Sequence, residues 1–259
     1  MKIIQDMPAE KKNIIKNAVG NIKEISLEEM DKVALMNRVD QKFILSFTDL
    51  CQIIPQLEAE YRVLTIHGQN VFTYKTDYYD TPGLTMFTDH HNGKLNRFKI
   101  RHREYVESNL EFLEIKFKNN KGKTLKKRVE SPHAHSKPAQ QLIKEYTPYN
   151  PSVLDMKITT LFNRFTLVDK KLTSRITIDF NVRFVGQAHK IQLDRLVIIE
   201  IKQEKQSTHS NIYSLLKEKS IRPCSVSKYC LGLTMMNNLP KSNIFKETLR
   251  KIKRINHVA

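Results

Sequence analysis

Side chains on a β-strand alternate between two faces, and along this chain that alternation repeatedly sorts charge from apolar bulk. Lys99, Arg101 and Arg103 share one face while Phe98 and Ile100 take the other, and Glu114, Lys116 and Lys118 oppose Leu113, Ile115 and Phe117. The same reading groups Arg38, Asp40 and Lys42; Lys126, Arg128 and Glu130; Arg175, Asp179 and Arg183; and Glu200 with Lys202. Ile176, Ile178, Phe180 and Val182, and Ile199 with Ile201, form the apolar sides of the last two rows. One strand of this kind is what any antiparallel sheet with a solvated face displays. Six, carrying Arg where a solvated face carries Thr, Ser and Gln, predict more: an α+β protein whose antiparallel sheet concentrates cations on one face, and such a sheet can close into a β-barrel with helices packed outside. The charged rows then face one another across a lumen that repels itself unless an anion fills it. Arginine's planar fork suits bidentate phosphate contacts.

Composition agrees with an anionic partner. Lys and Arg number 44 against 27 Asp and Glu, a formal net charge of +17, which rewards contact with nucleic acid, an anionic membrane or free polyphosphate alike. No specific nucleic-acid partner is expected, and nonspecific binding is disfavoured because no aromatic platform alternates with the basic residues. Cys51, Cys224 and Cys230 are odd in number and widely spaced, which argues against a disulfide framework or a Cys-based zinc site and for a reducing cytoplasm. No apolar run approaches the ~20 residues that span a bilayer, and Met1 to Lys12 lacks the apolar core of a signal peptide. The chain is therefore expected to be cytoplasmic, without a transmembrane segment. Its basic surface, the stretch Lys241 to His257 above all, is suited to docking on a membrane surface or a membrane protein.

Ser26-Leu27-Glu28-Glu29 has the form of a capping box and predicts a helix over Leu27 to Met36. A strand follows over Asn37 to Leu45, then a helix near Thr48, capped by Thr48 or Ser46 and kinked or ended by Pro55. Asn70 to Phe117 reads as strands punctuated by turns at Asp80-Thr81-Pro82-Gly83 and His91-Asn92-Gly93-Lys94. Asn120 to Lys123 joins Leu110 to Lys118 with Thr124 to Glu130 as a hairpin. Helices are expected over Pro138 to Tyr146, Val153 to Thr160, Ser210 to Lys219 and Ile244 to Ile255, and strands over Leu161 to Val168, Arg175 to Val185 and Leu196 to Gln203. No composition break divides the chain, which predicts one domain over residues 1–259. Residues 1–36 then form a peripheral helical segment, and 241–259 a peripheral basic helix.

Carboxylates interrupt the basic rows: Glu114 and Glu200 each sit two residues before a lysine. Such a carboxylate is costly unless it pairs with the cations or holds a divalent metal, and spacing alone leaves both readings open. His67, His90, His91 and His102 show no metal-ligand spacing and are expected at the surface or in loops. With only 7 Gly in the chain there is no glycine-rich phosphate loop. Tyr78 and Tyr79 suit either stacking on a base or packing.

Taken together, these residues resemble the VTC-domain polyphosphate polymerases, within the triphosphate tunnel metalloenzyme (CYTH-like) superfamily. The resemblance runs from Arg38 to Gly232. It rests on Arg38-x-Asp40-x-Lys42-Phe43, Tyr78-Tyr79-Asp80-Thr81, Lys99-Ile100-Arg101-His102-Arg103, Leu113-Glu114-Ile115-Lys116 and Lys126. It continues through Asn163-Arg164-Phe165, Arg175 to Asp179, Glu200-Ile201-Lys202 and Ser227-Lys228-Tyr229.

The resemblance implies an eight-stranded antiparallel tunnel in which the terminal phosphoryl group of ATP is moved onto inorganic polyphosphate with Mn2+ or Mg2+, the product threading through. It implies that Lys42, Arg101, Arg103, Lys116, Lys126, Arg164, Arg175 and Lys202 hold phosphates. Ser227 and Lys228 then meet the terminal one, and Glu200 is the metal ligand. Arg101, Arg103, Lys116, Arg164, Arg175 and Lys228 are the implied catalytic groups, acting by positioning and charge neutralisation, with no side-chain nucleophile. The superfamily often opens with E-x-E-x-K, whereas this chain has Arg38-x-Asp40-x-Lys42. Loss of one carboxylate favours a polymerase over a hydrolase that directs water with a metal, and leaves Asp40 or Glu114 as the only helpers to Glu200. A hydrolase of tripolyphosphate or nucleoside triphosphates, and a polyphosphate-binding module without turnover, are the alternatives.

Overall fold

The computed structural model describes residues 9–31, 38–204, 211–236, 239 and 242–257. Its helices are α1 (Ala9–Val19), α2 (Leu27–Asp31), α3 (Phe47–Ile53), α4 (Thr85–His91), α5 (Lys137–Tyr146), α6 (Asn211–Glu218), α7 (Lys228–Met236) and α8 (Lys246–His257). Its strands are β1 (Glu24–Ile25), β2 (Arg38–Ser46), β3 (Tyr61–Leu64), β4 (Phe72–Asp80), β5 (Arg97–Tyr105), β6 (Leu110–Lys118), β7 (Thr124–Glu130), β8 (Asp155–Asp169), β9 (Ser174–Val185), β10 (Lys190–Leu193) and β11 (Leu196–Glu204).

Eight strands form one antiparallel ladder in the order β2-β11-β9-β8-β4-β5-β6-β7. The ladder ends at β2 and β7, and among the described residues no pairing joins them. Among the described residues, strand pairing thus forms an antiparallel sheet and does not close it into the expected barrel. The sheet is nevertheless strongly curled. Lys116 on β6 and Glu200 on β11 stand five ladder steps apart, about 24 Å on a flat sheet, yet the Glu200 carboxylate acts on the Lys116 ammonium. The segment between α6 and α7 crosses the space beside β2. The Cys224 N–H donates to the Lys42 carbonyl at 2.8 Å, and Ser227 Oγ accepts from Lys99 Nζ of β5 at 3.1 Å.

The apolar faces turn outward under the helices. Phe43, Ile176, Ile178, Phe180, Val197, Ile199 and Ile201 pack with Ile15 and Val19 of α1, Leu50 and Ile53 of α3, and Ile212, Leu215 and Leu216 of α6. Helix α1 is therefore part of the core packing, with Ile15 and Val19 fully buried. Ile100, Leu113 and Ile115 pack beneath Ala139 and Ile143 of α5. Towards one end of the trough the inner face also becomes apolar: Ile44, Phe162, Val182, Phe184 and Ile198 meet Tyr229, Leu231 and Leu233 of α7. Gly232 makes that approach feasible, since a Cβ there would lie 2.5 Å from Ile158 Cδ1. Helix α8 buries Ile252 and leaves Lys246, Arg250, Lys253 and Arg254 exposed. No described helix is long and apolar enough to cross a membrane.

Several expectations are corrected. Ser46, not Thr48, caps α3 through a reciprocal capping box with Asp49. The helix from Leu27 extends to Asp31, and its expected continuation lies outside the described residues. Val153 to Thr160 is not helical: a short 3-10 turn ends at Val153 and β8 begins at Asp155. The turn after Asp80 opens into helix α4. Arg183 leaves its row because Asn181, at φ 52°, forms a bulge where the β8–β9 register shifts. Beyond it Val182 and Phe184 turn inward and Arg183 bonds Gln192 on β10 at 2.6 Å.

Candidate functional site

The inner face is assembled by register. Across β5, β6 and β7 the pairs Arg101 with Glu114, Glu114 with Arg128 and Lys116 with Lys126 stand opposite one another. Across β8, β9, β11 and β2, Arg164 faces Asp179, Arg175 faces Lys202, and Glu200 faces Lys42. Each strand contributes its charged side because the other is committed to the helices. The residues expected to bind phosphate, Lys42, Arg101, Arg103, Lys116, Lys126, Arg164, Arg175, Lys202, Ser227 and Lys228, are all brought to this face or its rim.

Three carboxylates pair with the cations of this face. Glu114 is completely buried and accepts from Arg101 Nε at 2.6 Å while pairing with Lys126. Burial alone would raise its carboxyl, but Arg101, Arg103 and Lys126 outweigh it and hold Glu114 far below the usual carboxylate range. Asp179 accepts from Arg164 Nη2 at 2.8 Å and pairs with Lys228. Against its burial, Arg164 and Lys228 bring it down to about 2. Glu200 pairs with Lys202 at 2.7 Å and Lys42 at 3.2 Å. Burial is again outweighed, here by Lys202 and Lys42, and the carboxyl stays well below its ordinary range. Both Glu114 and Glu200 thus have cationic partners within ion-pair distance.

The lysines record the opposite strain. Arg101, burial and Arg103 together push the Lys116 ammonium well below the usual lysine range. Burial, reinforced by Arg164 against the pull of Asp179, takes Lys228 down to about 8. Lys99 is lowered by burial. A polyanion entering this face restores these charges, so binding takes up protons. Tripolyphosphate affinity should therefore fall as pH rises above about 8, where free Lys228 loses its proton. Folding stability should run the other way: a lysine lowered in the folded state destabilises it most below about 8, and that penalty fades towards the unfolded value near ~10.4. Calorimetric titrations in buffers of different ionisation enthalpy measure the uptake directly. Equal heats in all buffers at pH 8 would refute it.

Some contributors were not evident from residue order. Tyr74 and Phe162 stack at 5.2 Å on the inner face, with Arg164 above both rings at 5.1 and 5.3 Å, Arg103 at 5.4 Å from Tyr74 and Lys228 at 4.2 Å from Phe162. Aromatic rings thus do interleave with the cations, contrary to expectation, and their faces are occupied by them. Lys99 and Asp179 also belong to the site; both sat in the charged rows, and Asp179 became legible as a counter-ion only through its contacts. His102 is not at the surface: it is buried on the outer face of β5, its Nε2 2.8 Å from the Ser131 carbonyl oxygen. His90, held down to about 3 by burial and Lys99, lies half-buried near Phe245. Tyr78 packs on Tyr229 with ring centroids 5.2 Å apart. The side chain of Arg38 lies outside the described set.

Among the described residues no three His, Cys, Asp or Glu side chains gather to hold a metal. The inner face offers Glu200, whose side chain is 22% exposed, against 0% for Glu114 and 3% for Asp179. That donor set fits a Mg2+ or Mn2+ ion taking most of its ligands from phosphate oxygens and water, rather than an all-protein cage.

The model of the VTC domain family matches residues 37–237. No curated protein matches the chain in sequence. Among solved structures, similarity extends to a candidate adenylyl cyclase from Hippeastrum with a dominant triphosphatase activity, at 11% identity over 80% of this chain and 99% of that one, TM-score 0.46. A candidate adenylate cyclase from Vibrio parahaemolyticus is 12% identical over 76% of this chain and 98% of its own, TM-score 0.44. A protein from Pyrococcus horikoshii is 14% identical over 77% and 99%, TM-score 0.42.

Proposed function

This chain belongs to the VTC domain family, and we propose that it is a cytoplasmic polyphosphate polymerase that moves the terminal phosphoryl group of ATP onto inorganic polyphosphate. The observation that supports this best is the convergence of Arg101, Arg103, Lys116, Arg164 and Lys228 on one face, where Glu114 pairs with Arg101 and Asp179 with Arg164 and Lys228. In this reading the curled sheet closes round the phosphate chain as a tunnel, with β2 and β7 as its lips. Phosphate oxygens replace Glu114, Asp179 and Glu200 as partners of the cations.

A terminal oxygen of the polymer attacks the γ-phosphorus of ATP; the new P–O bond forms as the bond to the departing ADP breaks. Arg101, Arg103, Lys116, Arg164 and Arg175 take up the charge spread over the equatorial oxygens, and Lys42, Lys126 and Lys202 align the neighbouring phosphates. Ser227 and Lys228 hold the end of the chain. Glu200 would hold a Mg2+ or Mn2+ ion, which would supply neutralisation of phosphate charge. Glu114, Asp179 and Glu200 are each held ionised against cations, an arrangement suited to neutralising a polyanion's binding face rather than to directing a water molecule.

Incubation with ATP and Mn2+ should yield long-chain polyphosphate and ADP; orthophosphate as the sole product would replace this reading with a hydrolase. Glu200→Gln should lower turnover by about a hundredfold while leaving tripolyphosphate affinity unchanged or tighter, since it removes an anion from the binding face. A pure binding module would show no turnover to lose.

A further inference from the structure

Asp80, the last residue of β4, takes no part in the chemistry above, yet it is completely buried and collects three backbone N–H groups and a phenol, besides the longer contact from the Thr81 hydroxyl at 3.4 Å. Its Oδ1 accepts the N–H groups of Thr81 at 2.7 Å and Met86 at 2.9 Å. Its Oδ2 accepts the Phe87 N–H at 2.9 Å and the Tyr229 hydroxyl. Those donors come from the exit of β4, the first turn of α4 and the first turn of α7. Helix α4 has no side-chain cap at its own boundary, where Leu84 sits at φ 54°, so Asp80 satisfies amides that the helix start leaves free.

The contact with α7 is the one with a consequence for the basic face. Tyr229 directly follows Ser227 and Lys228, and the preceding segment, residues 221–227, has no regular structure to hold them. Lys228 is nevertheless kept at 12% side-chain exposure beside Asp179, and Ser227 Oγ lies 3.1 Å from Lys99 Nζ. A flexible lysine stem confined this closely needs its backbone fixed. The phenol of Tyr229, buried, stacked on Tyr78 and bonded to Asp80, anchors the residue next to it, while Ser227 on the other side accepts from the Cys230 amide at 3.4 Å.

We propose that Asp80 and Tyr229 are positioning residues: their carboxylate–phenol contact fixes the first turn of α7 so that Ser227 and Lys228 are held on the basic face for the end of a phosphate chain. This rests on the reading of Ser227 and Lys228 as phosphate contacts, and the test separates the two.

Tripolyphosphate is titrated calorimetrically into the full chain between pH 6.5 and 9.5, alongside thermal melts, for the parent, Tyr229→Phe and Lys228→Met. Tyr229→Phe keeps the ring stack and removes only the hydroxyl. It should weaken tripolyphosphate binding about tenfold, the effect of losing one hydrogen bond to a charged group. It should also move the alkaline fall in affinity from near pH 8 towards the ordinary lysine range, because a looser first turn re-exposes Lys228. A lowered melting temperature with parental affinity and parental pH profile would mean a purely structural contact and overturn the proposal. If Lys228→Met weakens binding while Tyr229→Phe does not, positioning fails and the phosphate role of Lys228 stands. If Lys228→Met leaves both affinity and pH profile unchanged, the phosphate reading of this helix fails, and the proposal falls with it.

Discussion

Glu114→Gln should unfold at a temperature about 10 °C below the parent when no anion is present, and recover most of that loss in tripolyphosphate. The carboxylate is completely buried and is the shared partner of Arg101 and Lys126, with Arg103 also acting on it. Gln keeps the shape but cancels the charge, leaving buried cations to repel one another. Breaking a buried pair from one side costs about 3–5 kcal/mol, and for a chain of this size each kcal/mol shifts the midpoint by about 2–4 °C. A bound polyanion supplies the missing negative charge, and saturating ligand at a thousandfold excess over Kd adds about 4 kcal/mol. The melting difference between variant and parent should therefore shrink as ligand is added. A variant as stable as the parent in anion-free buffer would show that these cations need no counter-ion.

Arg164→Met should have the larger effect on binding: tripolyphosphate affinity should drop by about a hundredfold or more, as expected for loss of a buried bidentate cation. Arg164 holds Asp179 through Nε and Nη2 and lies over Tyr74 and Phe162. Its removal leaves Asp179, 3% exposed, with Lys228 as its remaining partner among the contacts described above, so stability should also fall by about 3 kcal/mol. The double variant Arg164→Met/Asp179→Asn separates the two losses. It should regain most of the stability, because the stranded carboxylate is gone, and none of the affinity. Recovery of binding in the double variant would show that Arg164 serves only to neutralise Asp179. The acid limb offers a second check. Asp179 is held at about 2, so its contribution is complete above the unfolded value near ~3.9 and is lost as pH falls towards 2. The double variant should lack that part of the acid loss.

Where the sequence reading failed, the reason was a contact from a distant element. Helix α4 was hidden because Asp80-Thr81-Pro82-Gly83 is a strong turn signal, and the residue that satisfies the helix start is Asp80 itself, several positions earlier. The beginning of β8 reads as helix because Val153 to Thr160 has no strict alternation; its pairing with β4, across a register shift opposite Tyr78 and Tyr79, makes it extended. Helix α7 passed unnoticed because its residues are apolar almost all round, and its burial against Ile158 and Phe184 creates the environment that such a helix needs. The Arg175, Asp179, Arg183 row broke at its last member, since one bulged residue reverses every face beyond it.

The amino-acid sequence by itself determined which side chains share a face on each strand, because a two-residue period is a local property of an extended backbone. It thereby placed Lys42, Arg101, Arg103, Lys116, Lys126, Arg175 and Lys202 on the sides away from the apolar core, while Arg164 stood out only through the family resemblance. Only the tertiary structure decided that these sides face one another. Whether Lys116 on β6 comes within reach of Glu200 on β11 depends on the curl accumulated over five strand pairings, and no residue spacing encodes that curl. It also decided which carboxylates serve as counter-ions, and that α7 enters beside Asp179 and Lys99. Both depend on desolvation and distance across the sheet, which exist only once the chain has folded.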